Sequence, residues 1–427
     1  MKVFRGEILH FIADPAEVGI EQSYQYFADG LLIIEKGLVK AVGDATKLLT
    51  TISPTQSIKH YPHSLILPGF IDTHVHYPQT EMIASYGEQL LEWLENYTYP
   101  VEEKFADYDY AKRVAEFFLQ QLLQAGTTTA LVFGTVHKNS VEAFFTVAQQ
   151  QKLRMICGKV LMDQNCPKSL QDTAETGYQE SKELIEKWHN KDRLRYAVTP
   201  RFAPTSSRQQ LDKAGLLLQE YPDVYLHTHL CESQAEIAWV KDIFPESESY
   251  LAVYEQSKLL GRRSIFAHGV HLEDAECKRL SQTQSAITFC PTSNLFLGSG
   301  LFNLQQAEQH KVKVALGTDI GAGTSFSLLK TMNEAYKIQQ LRKDKLDPFK
   351  AFYLATLAGA IALDLQDKIG NFEQGKEADF IVIDYQKTAL LKNRLDSCQN
   401  LMEKLFALSM LADERHIRAT YILGELV

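Results

Sequence analysis

The chain has 427 residues, 45% hydrophobic and 23% charged, with a formal net charge of −9. That balance excludes extensive disorder, and without a dense Lys/Arg block it excludes a nucleic-acid groove or an anionic membrane surface as the expected partner. The opening MKVFRGEILHFIADP lacks a signal-peptide core, no apolar run is long enough to span a bilayer, and six scattered cysteines without a CxxC pair read as reduced thiols, so a cytoplasmic protein acting on a small molecule is expected.

The first clear element is LLIIEKGLVKAVG, where Gly37 interrupts two apolar runs as a hairpin turn would. Near Leu67 the text changes to short apolar runs separated by helical stretches, the pattern of βα units and a parallel sheet. The first such run, IDTHVH, carries His74 and His76. Side chains two apart share a face only in extended backbone, so a strand lets both imidazoles meet one ion. The helical stretch DYAKRVAEFFLQQLLQAG then places Val114, Phe117, Phe118 and Leu122 at helical spacing and stops at Gly126.

TTTALVFG, RMICGKVLMD, RYAVTPRF, VYLHTHL, SIFAHGV, AITFCPTSN and VKVALGTD bring the strand candidates to eight, which predicts an α/β fold, a (β/α)8 TIM-like barrel. His229, His268 and Asp319 stand at or near the ends of their runs, where such a barrel gathers its functional groups. After about residue 370, GNFEQGKEADFIVIDYQ and IRATYILGELV read as strands returning to the N-terminal segment. The expected domains are therefore a barrel over 67–370 and a small discontinuous β domain built from 1–66 and 371–427.

Imidazoles with one carboxylate suit a borderline divalent metal such as zinc with one position open to water, and the natural reaction class is hydrolysis. Within HTH, His229 is favoured over His227 because it lies nearer the strand end, which leaves His227 a packed or supporting role. Glu232 follows where the chain leaves the strand and can turn a carboxylate over the water; the competing reading is a charge at the N-terminus of the helix that CESQAEIAWV begins. Asp72 reads as an anchor for the strand end. Trp93 and Tyr97 share one helix face and are assigned to packing.

PGFIDTHVH, the strand-end histidines and GTD resemble the amidohydrolase superfamily along the whole chain, and DTHVHYPQT, LLEWLENYTYP, AGTTTA, TPRFAPT, HLCE and CPTSNL resemble its guanine deaminases. The resemblance implies that His74, His76, His229 and Asp319 bind one zinc ion, that His268 contacts the water or the developing oxyanion, and that Glu232 shuttles protons. It further implies that Asp319 moves a proton from water towards the departing amine, and that Gln79, Arg201 and Phe202 contact a purine base. Arg201 offers donors to an exocyclic oxygen, Gln79 a donor and an acceptor, and Phe202 a ring face; the alternatives are an ion pair for Arg201 and a core place for Phe202. A homodimer is also implied.

Two-metal relatives use a lysine on the fourth strand, which RYAVTPRF lacks, so a single metal is expected; Lys159, on the third strand, is assigned a structural or surface role. The rival readings are a relative acting on adenosine-like nucleosides or chlorinated triazines, and a non-catalytic scaffold.

Overall fold

The computed structural model describes residues 1–87 and 89–427. In chain order the strands are β1 (Lys2–Phe11), β2 (Tyr24–Glu35), β3 (Leu38–Asp44), β4 (Ile58–Pro68), β5 (Phe70–His76), β6 (Thr127–Phe133), β7 (Arg154–Gly158), β8 (Val160–Leu161), β9 (Arg195–Pro200), β10 (Tyr225–Leu230), β11 (Ser264–His268), β12 (Ala286–Phe289), β13 (Lys313–Leu316), β14 (Phe380–Asp384), β15 (Ile417–Ile422) and β16 (Glu425–Leu426). They form two sheets. The smaller runs β16-β15-β14-β4-β1-β2-β3, so strands from both ends of the chain interleave in it. At its β2–β3 turn Lys36 and Gly37 have φ of 54° and 80°, the paired left-handed geometry of a tight hairpin.

The larger sheet runs β5-β6-β7-β9-β10-β11-β12-β13 with every ladder parallel, and β8 extends the pairing to β9. Its two ends meet. The Asp319 N–H donates to the His74 carbonyl at 2.9 Å, the His76 N–H to the Ile320 carbonyl at 2.8 Å, and the Thr73 hydroxyl to the Leu316 carbonyl at 3.0 Å. The result is a nearly closed eight-stranded parallel barrel wrapped by helices. Every residue of β5 and β6 is buried, as expected of strands covered on both faces.

Two local expectations change. The third barrel run divides at Lys159, because Gly158 passes so close to β9 that a Cβ there would lie 1.8 Å from the Ala197 carbonyl oxygen. Lys159 itself is fully buried, its ammonium donating to Asp172 at 2.7 Å, which makes its role structural and not a surface one. In the helix Tyr108–Gln124, capped by Asp107 accepting from the Tyr110 N–H, Val114, Phe118 and Leu122 face the core. Phe117 is 52% exposed, since the buried stripe runs through Ala111, Val114, Ala115, Phe118, Leu119 and Leu122 and leaves it beyond the edge.

A buried charge cluster joins the sheets. Arg154 and Arg193, from the barrel, donate to Glu377 at 2.8 and 3.0 Å, and Arg193 also pairs with Asp379, whose other oxygen accepts from the Leu423 N–H at 2.8 Å. Among the described residues no helix is long and apolar enough to cross a membrane. Arg193→Met strands the buried Asp379 carboxylate and is expected to lower the unfolding free energy by about 3–5 kcal/mol; urea denaturation followed by circular dichroism measures it, and a wild-type midpoint would show that the cluster does not couple the sheets.

Candidate active site

The C-terminal end of the barrel brings the sequence candidates into one buried cavity. His76, Gln79, Arg201, Phe202, His229, Glu232, His268 and Asp319 line it. His74 lies beneath, its Nε2 3.1 Å from the Nε2 of His76 and 3.1 Å from Asp319 Oδ1, while His76 Nε2 is 3.2 Å from the same oxygen. One donor atom each from His74, His229, His268 and Asp319 lie within 4.8 Å of one another, a set that holds His268 where the expected ligands have His76, although His76 is itself in contact with both His74 and Asp319. Tetrahedral ligands at about 2.0–2.1 Å from a zinc ion stand roughly 3.3 Å apart, so the spacing fits a divalent cation.

Neighbouring groups set which ring nitrogen each histidine presents. His229 Nδ1 is 2.7 Å from the Arg201 carbonyl, which can only accept, so the proton is on Nδ1 and the Nε2 lone pair faces the cluster. His74 Nδ1 is 2.7 Å from His227 Nε2, which places His227 behind a candidate ligand and not in the cavity. Asn294 Nδ2 donates to His268 Nδ1 at 3.0 Å. That leaves the His268 proton on Nε2, directed between Glu232 Oε2 at 3.4 Å and Asp319 Oδ2 at 3.8 Å, the arrangement of a hydrogen-bond donor to a reacting oxygen. Asp72 accepts from the His74 and Thr318 N–H groups at 3.2 and 3.1 Å and so anchors the ends of β5 and β13.

Burial drives the protonation states. It pushes His227 and His229 well below the ordinary imidazole value, His76 down to about 4 and His268 to about 3, so these rings are neutral, as metal ligands must be. Burial opposes the charge of Asp319, but His74 and His76 outweigh it and hold the carboxyl well below its usual range. Neutral imidazoles around one ionised carboxylate suit a zinc-like ion. Glu232 goes the other way: burial first, then the charges of Asp319 and Glu236, raise it well above an ordinary glutamate. A carboxyl so raised holds a proton it can give.

Strand ends turn abruptly here. Cys231, His268 and Asp319 have φ of 50°, 74° and 51°, left-handed values that are costly for such residues and concentrate where function fixes the backbone. The turn at Cys231 throws Glu232 over the cavity, where Oε1 accepts from the Ser299 hydroxyl at 3.1 Å. The helix Gln234–Ile243 starts just beyond, and its Glu236 accepts from the Glu232 N–H at 2.7 Å. Glu232 is thus not a solvated helix charge but a buried acid, 2% exposed.

On the opposite wall Arg201 makes the ion pair that its alternative reading anticipated, yet it also lines the cavity. Its Nη1 donates to both oxygens of Glu102, at 3.0 and 2.9 Å, and Gln79 Nε2 donates to Glu102 Oε1 at 3.3 Å. Phe202 meets Trp239 edge-on, 5.8 Å between centroids, and also faces the cavity. Leu90, Trp93 and Leu94 also line the cavity, so the packing assigned to Trp93 is packing over this space. The cavity volume is about 40 Å³, above the roughly 10–15 Å³ that a single water requires. Glu102, Ser299 and Asn294 were missed; Asn294 lies in the short helix Pro291–Phe296 after β12 and Ser299 beyond it, so neither closes an apolar run.

The Amidohydrolase family model matches residues 65–427. Over its full length the chain is 53% identical to the guanine deaminase of Escherichia coli (strain K12), covering 98% of that protein. A solved structure of E. coli guanine deaminase superposes with a TM-score of 0.98 at 52% identity, covering 100% of this chain and 99% of that one. The guanine deaminase of C. acetobutylicum, solved with guanine in its active site, superposes with a TM-score of 0.90 at 29% identity, covering 100% and 99%.

His227→Phe removes the partner of His74 Nδ1 and no cavity-lining ligand. It is expected to weaken divalent-metal binding about 10–100-fold, the usual cost of losing such an outer partner, as read by competition against a chromogenic chelator; unchanged affinity would show that His74 needs no support.

Proposed function

The chain belongs to the amidohydrolase family, and from that premise we propose that it hydrolyses guanine to xanthine and ammonia. One observation carries the reading: a single buried cavity sets an arginine and a glutamine on one wall against a His/Asp cluster and a raised glutamate on the other, in a chain more than half identical to a guanine deaminase throughout its length.

His74, His76, His229 and Asp319 would hold one divalent cation, zinc by the chemistry of the donors. When bound, the ion supplies Lewis acidity that brings a coordinated water towards a pKa of about 7. Arg201 donates to the exocyclic oxygen of the base, Gln79 contacts its ring edge, and Phe202 packs against the ring, which turns the amine-bearing C2 towards the cluster. As water adds to C2, Asp319 takes one of its protons, Glu232 gives a proton to the ring nitrogen beside C2 that carries no hydrogen, and His268 Nε2–H steadies the oxygen. Asp319 then returns its proton to the amine, the C–N bond breaks, and the C2 hydroxyl gives its proton to Glu232, leaving a carbonyl, ammonia and both acids as they began. The surroundings support these roles: contacts with His74 and His76 outweigh burial and hold Asp319 below its usual range, while burial and the neighbouring carboxylates raise Glu232.

The metal count of one, the homodimer and a cytoplasmic location are part of this proposal. So is the division into 1–66, 67–370 and 371–427, which is supported by the way β1–β4 and β14–β16 share a sheet separate from the barrel. The unpaired state of all six cysteines supports a reducing compartment.

Incubation with guanine is expected to yield equimolar xanthine and ammonia, whereas release from adenosine or a chlorinated triazine with none from guanine would replace the substrate assignment. Glu232→Gln should keep its metal and lose roughly 10²–10⁴-fold in kcat, His229→Ala should lose both, and undiminished turnover by Glu232→Gln would remove this acid from proton transfer.

A further inference from the structure

We propose that Glu102 is a positioning residue that sets the choice of purine, by locking the Arg201 guanidinium and the Gln79 amide into one fixed edge that selects an exocyclic oxygen. The inference rests on the guanine reading above.

Glu102 has no exposed surface and ends the short helix Tyr99–Glu102. Its two oxygens share Arg201 Nη1, at 3.0 and 2.9 Å. Among the described residues neither Nε nor Nη2 of Arg201 has a protein acceptor, so the guanidinium keeps one edge, made only of donors, for the cavity it lines. The Tyr99 ring, one helical turn earlier, lies 5.6 Å from the guanidinium carbon and holds the group from a second side.

The same carboxylate fixes the glutamine. Gln79 Nε2 donates to Glu102 Oε1 at 3.3 Å while its Oε1 accepts from the Gly321 N–H at 3.2 Å. Turning this amide over would set its oxygen against a carboxylate and its NH2 against an N–H, so one orientation survives. A donor-only edge pairs with a ring carbonyl and opposes a ring amine. Guanine satisfies it; 2-aminopurine, with the same reacting amine and no oxygen, leaves it unpaired, and 2,6-diaminopurine sets N–H against N–H. A carboxamide at position 102 would be a weaker acceptor, would free Gln79 to turn, and would leave Arg201 to shift.

The test compares wild type, Glu102→Gln and Glu102→Asp on guanine, 2-aminopurine and 2,6-diaminopurine, using inhibition constants where a base is not turned over. Glu102→Gln is expected to raise KM for guanine about 10–100-fold, the worth of a charge-assisted hydrogen bond, with kcat and metal content little changed and 2-aminopurine binding within about threefold of wild type. Glu102→Asp, which keeps the charge, should recover part of the preference for guanine. An equal loss on all three bases, or an unchanged KM for guanine, overturns the proposal and leaves Glu102 a packing acid. If Glu102→Gln does not fold, Glu102→Asp decides alone: reduced preference supports the proposal and unaltered preference overturns it. Wild-type protein inactive on guanine would defeat the substrate reading itself, a failure separate from variants that match an active wild type.

Discussion

Closure of the barrel between β5 and β13 is the constraint on which the site depends. The hydrogen bond from the Asp319 N–H to the His74 carbonyl belongs both to the backbone seam and to two residues of the donor cluster. Asp72 repeats the arrangement one step away, its carboxylate bridging backbone groups of His74 and Thr318. The cluster is therefore a consequence of completing the ring: without it the HxH pair and the carboxylate would lie on distant parts of an open sheet. Because these same bonds fix the backbone, side-chain donors arrive already spaced for an ion, and little ordering is left to binding.

Low polarity around that cluster then divides the labour among similar groups. The histidines and Asp319 share one buried space, yet burial pushes His76, His229 and His268 towards their neutral forms, while against that same burial the contacts with His74 and His76 hold the aspartate well below its usual range. Glu232, placed opposite by the left-handed turn at Cys231, is raised by burial first and then by Asp319 as a second negative charge, which favours its protonated form. Two carboxyl groups on one cavity are thus driven apart in acidity by geometry alone, the condition for one to accept and the other to donate.

Much of this was legible in sequence because it depends on period and position. A spacing of two on a strand, and polar residues closing apolar runs, are local signals, and His74, His76, His229, His268 and Asp319 all carry them. Glu102 has no such signal: it lies in a helical stretch rich in acids, and only the folded chain brings it to Arg201. Trp93 reads as core because a roof over a small cavity buries an aromatic as fully as a core does, at 1% exposure. Phe117 misled for the converse reason, an apolar residue beside the buried stripe with solvent on its side. The break at Lys159 follows from an approach of two backbones that no spacing rule records.

The smaller sheet has a bearing on how the molecule is made. Strand β14 wedges between β4 and β15, so the flank of Ile58–Pro68 facing it stays bare until residues 380–384 have left the ribosome. The barrel segments emerge meanwhile, and a nascent chain carries this apolar, unzipped border, Ser64–Pro68 being wholly buried in the finished fold, through most of translation. A message cut short before that point would release a polypeptide with a sticky margin and nothing to cover it, fit for aggregation or chaperone capture.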